Sequence, residues 1–176
     1  HWMCGIAGVV GDNCGNVIDR MTDTLAHRGP DGRGTWVSED HGIAFGHRRL
    51  SIIDTSSGAN QPMVSADGRY CLVFNGEIYN YRELRNALNV SLRTTSDTEV
   101  LLESIATFGF EATLSSLNGM FAFAVFDQRS RKIHIARDRM GEKPLYYGLL
   151  NNTFVFASEL KAITGLPDFS CEIDRD

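Results

Sequence analysis

The run Phe121-Ala122-Phe123-Ala124-Val125-Phe126 carries no polar side chain at either set of alternate positions. As a strand it must therefore be covered on both faces. Further short extended segments follow it, Lys132 to Ala136, Leu145 to Leu149 and Thr153 to Ala157, separated by turn sequences such as Asp127-Gln128-Arg129-Ser130 and Asn151-Asn152. Links this short imply antiparallel pairing. Two antiparallel sheets stacked face to face, with helices outside them, satisfy both conditions.

The first half of the chain supplies the remaining layers. Cys4 to Val10 reads as a buried strand ended by Gly11-Asp12-Asn13, after which Val17, Ile18, Met21 and Leu25 recur at helical spacing. His27 to Gly34 holds too much Gly and Pro for a regular element and reads as a loop. Thr35 to Ser38, Ile43 to Arg48 and Leu50 to Ile53 read as extended pieces, and Tyr70 to Phe74 as another strand. Tyr81, Leu84 and Leu88 mark a second helix. A third follows the capping-box sequence Ser96-Asp97-Thr98-Glu99, with Leu101, Leu102, Ile105 and Phe108 periodic behind it.

With 176 residues, 43% of them hydrophobic and 22% charged, the chain suits one domain burying about 70% of its unfolded surface. A net charge of -5, with Lys and Arg interspersed among acids, argues against a nucleic-acid partner or an acidic membrane surface. No apolar run approaches the ~20 residues of a membrane helix, and no leader pattern opens the chain, so a soluble cytoplasmic protein is expected. Cys4, Cys14, Cys71 and Cys171 form no C-x-x-C pair, so neither a zinc site nor a disulfide scaffold is expected; a bridge between Cys14 and Cys171 stays open.

Cys4 is the natural candidate for chemistry. A cysteine at a chain's first position carries its own base, because an α-amine with a pKa of about 7.7–8.0 exchanges protons readily with a thiol near ~8.5. His1 and Trp2 precede Met3 and read as a remnant ahead of the natural start, with Met3 as initiator. Protein that keeps these three residues is expected to lack the Cys4 amine and to be largely inactive. A Cys-His dyad using His27 or His47 is the rival arrangement. Taken locally, Asn75-Gly76 is a hairpin turn signal, Arg49 an ordinary strand arginine, and Asp97 an acid favoured by the first turn of a helix.

The segments MCGIAG, HRGPDG, FGHRRLSIID, NGEIYNY, TTSDTEVLL, LNGMFAFAVFD, ARDRMGEKPLYYG and FASELKA carry more than these local readings. From Met3 to about Ile163 they resemble, in order and spacing, the N-terminal glutaminase domain of glutamine-hydrolysing asparagine synthetases. These are class II glutamine amidotransferases of the N-terminal nucleophile hydrolase superfamily. The resemblance implies a four-layer αββα sandwich over residues 4–163, with 164–176 beginning a linker to an ATP-using synthetase domain. It implies that Cys4 attacks the glutamine side-chain amide, releasing ammonia and leaving a thioester that water hydrolyses to glutamate. Asn75 and Gly76 then supply the oxyanion donors, Arg49 grips the substrate carboxylate and Asp97 its ammonium. Leu50, Ser51, Ile52, Ile53 and Glu77 line the pocket, and Arg28 and Gly29 belong to a flap.

By the same resemblance this domain needs no metal or cofactor, with ATP and Mg confined to the synthetase domain. Its partners are L-glutamine and that domain of the same chain, and a homodimer stays open. The ammonia acceptor implied is aspartate, giving asparagine. The alternatives are the glutaminase domain of a sugar-phosphate or phosphoribosyl amidotransferase, or a glutamine-binding module without turnover. Arg137-Asp138-Arg139 and Pro144 to Tyr147 read as a structural ion pair and core aromatics.

Overall fold

The computed structural model of the chain describes residues 4–50, 60–167 and 169. Alternation along β1 (Gly5–Val10) divides its side chains between two surfaces: Ala7 and Val9 meet a helix, while Ile6 and Val10 meet a second sheet. The same division runs through β2 (Gly32–Ser38), β3 (Ile43–Arg49), β8 (Tyr146–Leu150) and β9 (Thr153–Ala157), which join β1 in an antiparallel sheet ordered β2-β3-β1-β9-β8. β4 (Met63–Val64), β5 (Tyr70–Ile78), β6 (Gly119–Asp127) and β7 (Lys132–Arg137) form the second antiparallel sheet in chain order.

Helices close both outer faces. α1 (Cys14–Thr24) and α5 (Lys161–Thr164) cover the five-stranded sheet, packing Ile18, Met21 and Ile163 on Ala7, Val9 and Val155. α2 (Tyr81–Ala87), α3 (Asp97–Phe108) and α4 (Phe110–Ser116) cover the other, where Leu84, Leu101 and Ile105 meet Leu72, Phe121 and Phe123. Between the sheets lie Ile6, Phe45, Cys71, Val73, Phe126 and Phe156. The four-layer αββα order expected from the sequence is the one observed, and β6 is covered on both faces as its unbroken apolar run requires. Gly8 belongs to this middle layer, since a Cβ there would lie 2.0 Å from the Phe156 ring.

Several local readings change. The Gly/Pro-rich segment is a loop only to Asp31, because Gly32, Arg33 and Gly34 pair with β3. Asn75-Gly76 is not a turn; β5 runs through it, opposite Ala122 and Phe121. Tyr146 and Tyr147 lie on an edge strand and are 44% and 69% exposed, so they are not core aromatics. The capping box at α3 is half-formed: Ser96 Oγ accepts the Glu99 N–H at 3.3 Å. The Glu99 carboxylate turns instead to the N–H groups of Arg93 and Thr94 and the Thr94 hydroxyl, fixing the approach to the helix.

Candidate active site

Cys4 sits half-buried one residue ahead of β1, and its carbonyl accepts from Arg28 Nε at 3.0 Å. Arg28 is anchored beyond it, with Nη1 donating to Glu159 Oε1 at 2.9 Å and Nη2 buried without a hydrogen-bond partner among the described residues. Glu159, just past β9, also meets His27 Nε2 at 2.9 Å and Lys161 Nζ at 3.2 Å. Burial pushes the Glu159 carboxyl up, but the bonds from His27, Arg28 and Lys161 outweigh it and hold it down to about 2. Gly29 is clamped as well: a Cβ there would lie 2.5 Å from the backbone of Arg48 and Arg49. The two residues expected in a flap are thus fastened to Cys4, Glu159 and β3.

A second fixed loop follows β7. Asp138 accepts the N–H groups of Phe121 (3.2 Å), Met140 (3.1 Å), Glu142 (2.9 Å) and Lys143 (3.1 Å). Arg137 donates to the carbonyls of Lys143 (2.7 Å) and Gly141 (2.6 Å). The ion pair read from Arg137-Asp138-Arg139 is therefore replaced by two side chains gripping main chain. Their product is a fixed loop that carries Lys143 inward, 7% exposed and within electrostatic reach of Cys4 and Arg28. Burial and the Arg28 charge lower the Lys143 pKa, while Cys4, Asp138 and Glu142 raise it.

The donors sit on β5. The Gln128 N–H to Arg69 carbonyl bond and the Tyr79 N–H to Asn118 carbonyl bond extend the β5–β6 ladder at its two ends, so odd-numbered β5 residues bond β6. Even-numbered residues must point to the opposite edge. β4 covers that edge only at Cys71 and Leu72. Past it, the Phe74 N–H donates to Gln61 Oε1 at 2.6 Å and the Ile78 N–H to Asp97 Oδ2 at 3.0 Å. The Gly76 N–H faces the same open edge between them. Gly76 also needs its missing side chain, because a Cβ would lie 2.2 Å from the Met120 carbonyl oxygen.

Asn75 is 2% exposed, shares the inner face of β5 with Cys71 and Val73, and has its Nδ2 buried without a partner among the described residues. His47 links this point to Cys4. It pairs across the sheet with Ile6, two residues after Cys4, and its ring meets the Phe74 backbone. The start of β1 and the Phe74-Asn75-Gly76 stretch therefore face each other across the sandwich. Burial drives His47 down to about 3, so its ring is neutral, and its Nε2 has no partner among the described residues. With His27 directed to Glu159, neither ring is placed as a base hydrogen-bonded to Cys4.

Arg49 ends β3, donating from Nη1 to Asn60 Oδ1 at 3.1 Å. A cleft of about 310 Å³ adjoins that contact, lined by Asn60, Pro62, Met63, Val64, Arg93 and Thr94. Asp97 is the first residue of α3, its carboxyl raised by burial and by Glu77 against the N–H groups of Ile78 and Thr98. Glu77 is exposed, and Leu50 follows β3 without regular structure, while Ser51, Ile52 and Ile53 lie outside the described residues. Among the described residues there is no cluster of three His, Cys, Asp or Glu able to hold a metal, and no helix long and apolar enough to cross a membrane. Sequence reasoning missed Gln61, Glu159 and Lys143. The quoted segments contain the last two, but nothing in their spacing announces that Glu159 anchors Arg28 or that Lys143 is buried.

Known proteins match this geometry and sequence. The sequence model of the glutamine amidotransferase domain matches residues 3–176. Asparagine synthetase [glutamine-hydrolyzing] 3 of Bacillus subtilis (strain 168) is 42% identical over 98% of the chain, and a putative asparagine synthetase [glutamine-hydrolyzing] 2 of Methanocaldococcus jannaschii is 37% identical over 96%. The chain spans only 29% and 36% of their lengths. Among solved structures, a glutamine phosphoribosylpyrophosphate amidotransferase from B. subtilis superposes with a TM-score of 0.79 at 25% identity, covering 91% of this chain and 43% of that one.

Proposed function

Because this chain belongs to the family of glutamine amidotransferase domains, we propose that it hydrolyses L-glutamine at Cys4 and supplies the ammonia to a synthetase domain. The observation that carries this reading is the pairing of a buried, unpartnered Asn75 Nδ2 with an outward Gly76 N–H, next to Phe74, which His47 links to the start of β1. Leaving a buried amide donor unsatisfied costs about 1–3 kcal/mol in the resting fold, and an oxyanion at that place would satisfy it.

In this mechanism Cys4 becomes the first residue when those before it are removed. Its α-amine accepts the thiol proton as sulfur attacks the amide carbon of glutamine. Asn75 Nδ2 and the Gly76 N–H hold the oxyanion. The protonated amine then gives its proton to the leaving nitrogen, ammonia departs, and a thioester remains. Water attacks the thioester with the same amine as base, glutamate leaves, and the thiol is restored. Arg49 and Asp97 are the fixed cation and anion for the carboxylate and ammonium of free glutamine, with Leu50 and Glu77 beside them. Neither metal nor nucleotide enters these steps. ATP and Mg belong to the synthetase domain, and identity to asparagine synthetases favours aspartate as the ammonia acceptor in the cytoplasm.

The test is glutamate release from glutamine by protein whose intact mass shows Cys4 as its first residue. Turnover that disappears in Cys4→Ala and in the chain retaining residues 1–3 is the expected result. Glutamine bound without turnover by the correctly trimmed protein would replace the enzyme by a binding module.

A further inference from the structure

The β1–β9 ladder ends at the pair Ala7 and Ala157, and the chain leaves it at the next residue. Ser158 gives its N–H to the Ile6 carbonyl at 2.9 Å, as a strand would, but the Ile6 N–H goes to Ser158 Oγ at 2.9 Å, where a strand would offer a carbonyl. Ser158 is fully buried, so its side chain fixes Ile6 while the backbone bends out of the sheet. Glu159 follows directly. Its Oε1 accepts from Arg28 Nη1 at 2.9 Å. The Arg28 side chain passes over Gly5, where a Cβ would lie 3.3 Å from Cδ, and donates from Nε to the Cys4 carbonyl at 3.0 Å. One dipeptide past the end of β9 thus holds both Ile6 and, through Arg28, Cys4.

Two further partners of Glu159 stand in solvent. His27 meets Oε1 at 2.9 Å and Lys161 meets Oε2 at 3.2 Å, with side chains 48% and 52% exposed against 10% for Arg28. Exposed pairs contribute little, so the contact that matters at Glu159 is the buried one. We propose that Glu159 is a positioning residue for the nucleophile, holding the Arg28 guanidinium on the Cys4 carbonyl and so fixing the peptide plane from which the Cys4 amine and thiol branch. The inference rests on the glutaminase reading and adds to it a residue one side chain removed from the reacting atoms. When Cys4 is the first residue, no preceding peptide restrains it, and its carbonyl belongs to its only peptide group. Attack on an amide carbon needs sulfur, amine and substrate aligned, and a displacement of about 1 Å at such a centre costs about 10²-fold in rate.

The experiment compares the parent, Glu159→Met and Glu159→Gln, each trimmed to begin at Cys4. Met fills the space without an acceptor, whereas Gln keeps an oxygen for Arg28. Steady-state kinetics give kcat and KM for glutamine, and nitrogen–proton correlation spectra give the hydrogen-exchange rate of the Arg28 Nε–H, assigned by its loss in Arg28→Lys. Glu159→Met is expected to lower kcat by about 10- to 100-fold with KM within about threefold, and to speed Nε–H exchange at least about tenfold. Glu159→Gln is expected to bring kcat and exchange to within about threefold of the parent, since a neutral acceptor keeps the bond at roughly half its strength. A kcat in Glu159→Met equal to the parent's would overturn the proposal, as would an effect confined to KM or an unchanged Nε–H exchange rate. A Glu159→Gln as slow as Glu159→Met would overturn it too, by making charge rather than placement the cause. Glu159→Ala carries the same test where Glu159→Met does not fold. If both fail to fold while Glu159→Gln folds, Glu159 is a strut of the fold and the proposal is overturned as well. An inactive parent whose Arg28 Nε–H exchanges faster in Glu159→Met would instead sink the glutaminase reading and leave Glu159 as the anchor of Cys4.

Discussion

Asn75→Ala is expected to cost the protein its turnover and almost none of its stability. Asn75 is 2% exposed and its Nδ2 has no partner among the described residues, so truncation breaks no hydrogen bond at that atom. The space emptied is roughly 30 Å³, which at about 24 cal/mol per Å³ costs about 0.7 kcal/mol. Against this, an unsatisfied donor worth about 1–3 kcal/mol of desolvation leaves the core. The balance lies between neutral and about 2 kcal/mol in favour of the variant. Loss of one oxyanion donor, by contrast, lowers kcat by about 10² to 10³. Urea unfolding of the trimmed protein gives the first quantity, and glutamate release at saturating glutamine gives the second. A variant that unfolds about 2 kcal/mol more easily yet keeps kcat within about threefold would make Asn75 a packing residue and refute the oxyanion argument.

Asp97→Asn retains an oxygen for the Ile78 N–H but removes the charge proposed above as the partner of the substrate ammonium. It should raise KM for glutamine at least about tenfold and change unfolding free energy by less than about 1 kcal/mol, since one fixed charge partner is lost while the hydrogen bond is kept. Gly8→Ala places a methyl 2.0 Å from the Phe156 ring inside the middle layer. Overpacking of this kind costs about 1–3 kcal/mol and should appear as a lower Tm. Glu159 titrates at about 2 in the fold against an ordinary 4.5, so its contribution is complete above pH 4.5 and is lost as pH falls toward 2. Glu159→Gln should remove that part of the acid-induced loss, on the order of 1 kcal/mol because the side chain is a quarter exposed, measured by urea midpoints between pH 6 and pH 3.

The layers were legible because burial on two faces writes itself into sequence. β6 shows it as an unbroken apolar run. α1 shows the complementary pattern, with Ile18 and Met21 inward at helical spacing, Leu25 continuing it just past the helix end, and charged residues between them. Elements too short to develop a period were not legible: β4 has two residues, α5 has four, and α4 is separated from α3 only by Gly109 at φ +88°. The edge position of β8 was equally hidden, because Tyr146 and Tyr147 suit a strand on either side of the core boundary. Of the candidate site, Cys4, Arg49, Asn75, Gly76 and Asp97 were named from the resemblance alone. Gln61 and Glu159 could not be named in this way, since their partners lie 13 and 131 residues away along the chain.

Asn75-Gly76 shows why the local reading of a motif and its place in the fold diverge. Asn-Gly signals a hairpin because both residues tolerate positive φ. Among the described residues the positive-φ glycines are Gly11, Gly42, Gly68, Gly109 and Gly141, and Gly76 is not one of them. It is a glycine for space, because β6 passes where its Cβ would be, and that close pairing directs its N–H to the open edge beyond β4. Arg137-Asp138 follows the same logic with charge in place of shape. Adjacent opposite charges suggest a pair, but in the fold each satisfies main chain, and the loop they shape buries Lys143. In both cases the residue types were visible and their partners were not. What a glycine or a charge does is decided by the backbone that reaches it from elsewhere in the chain.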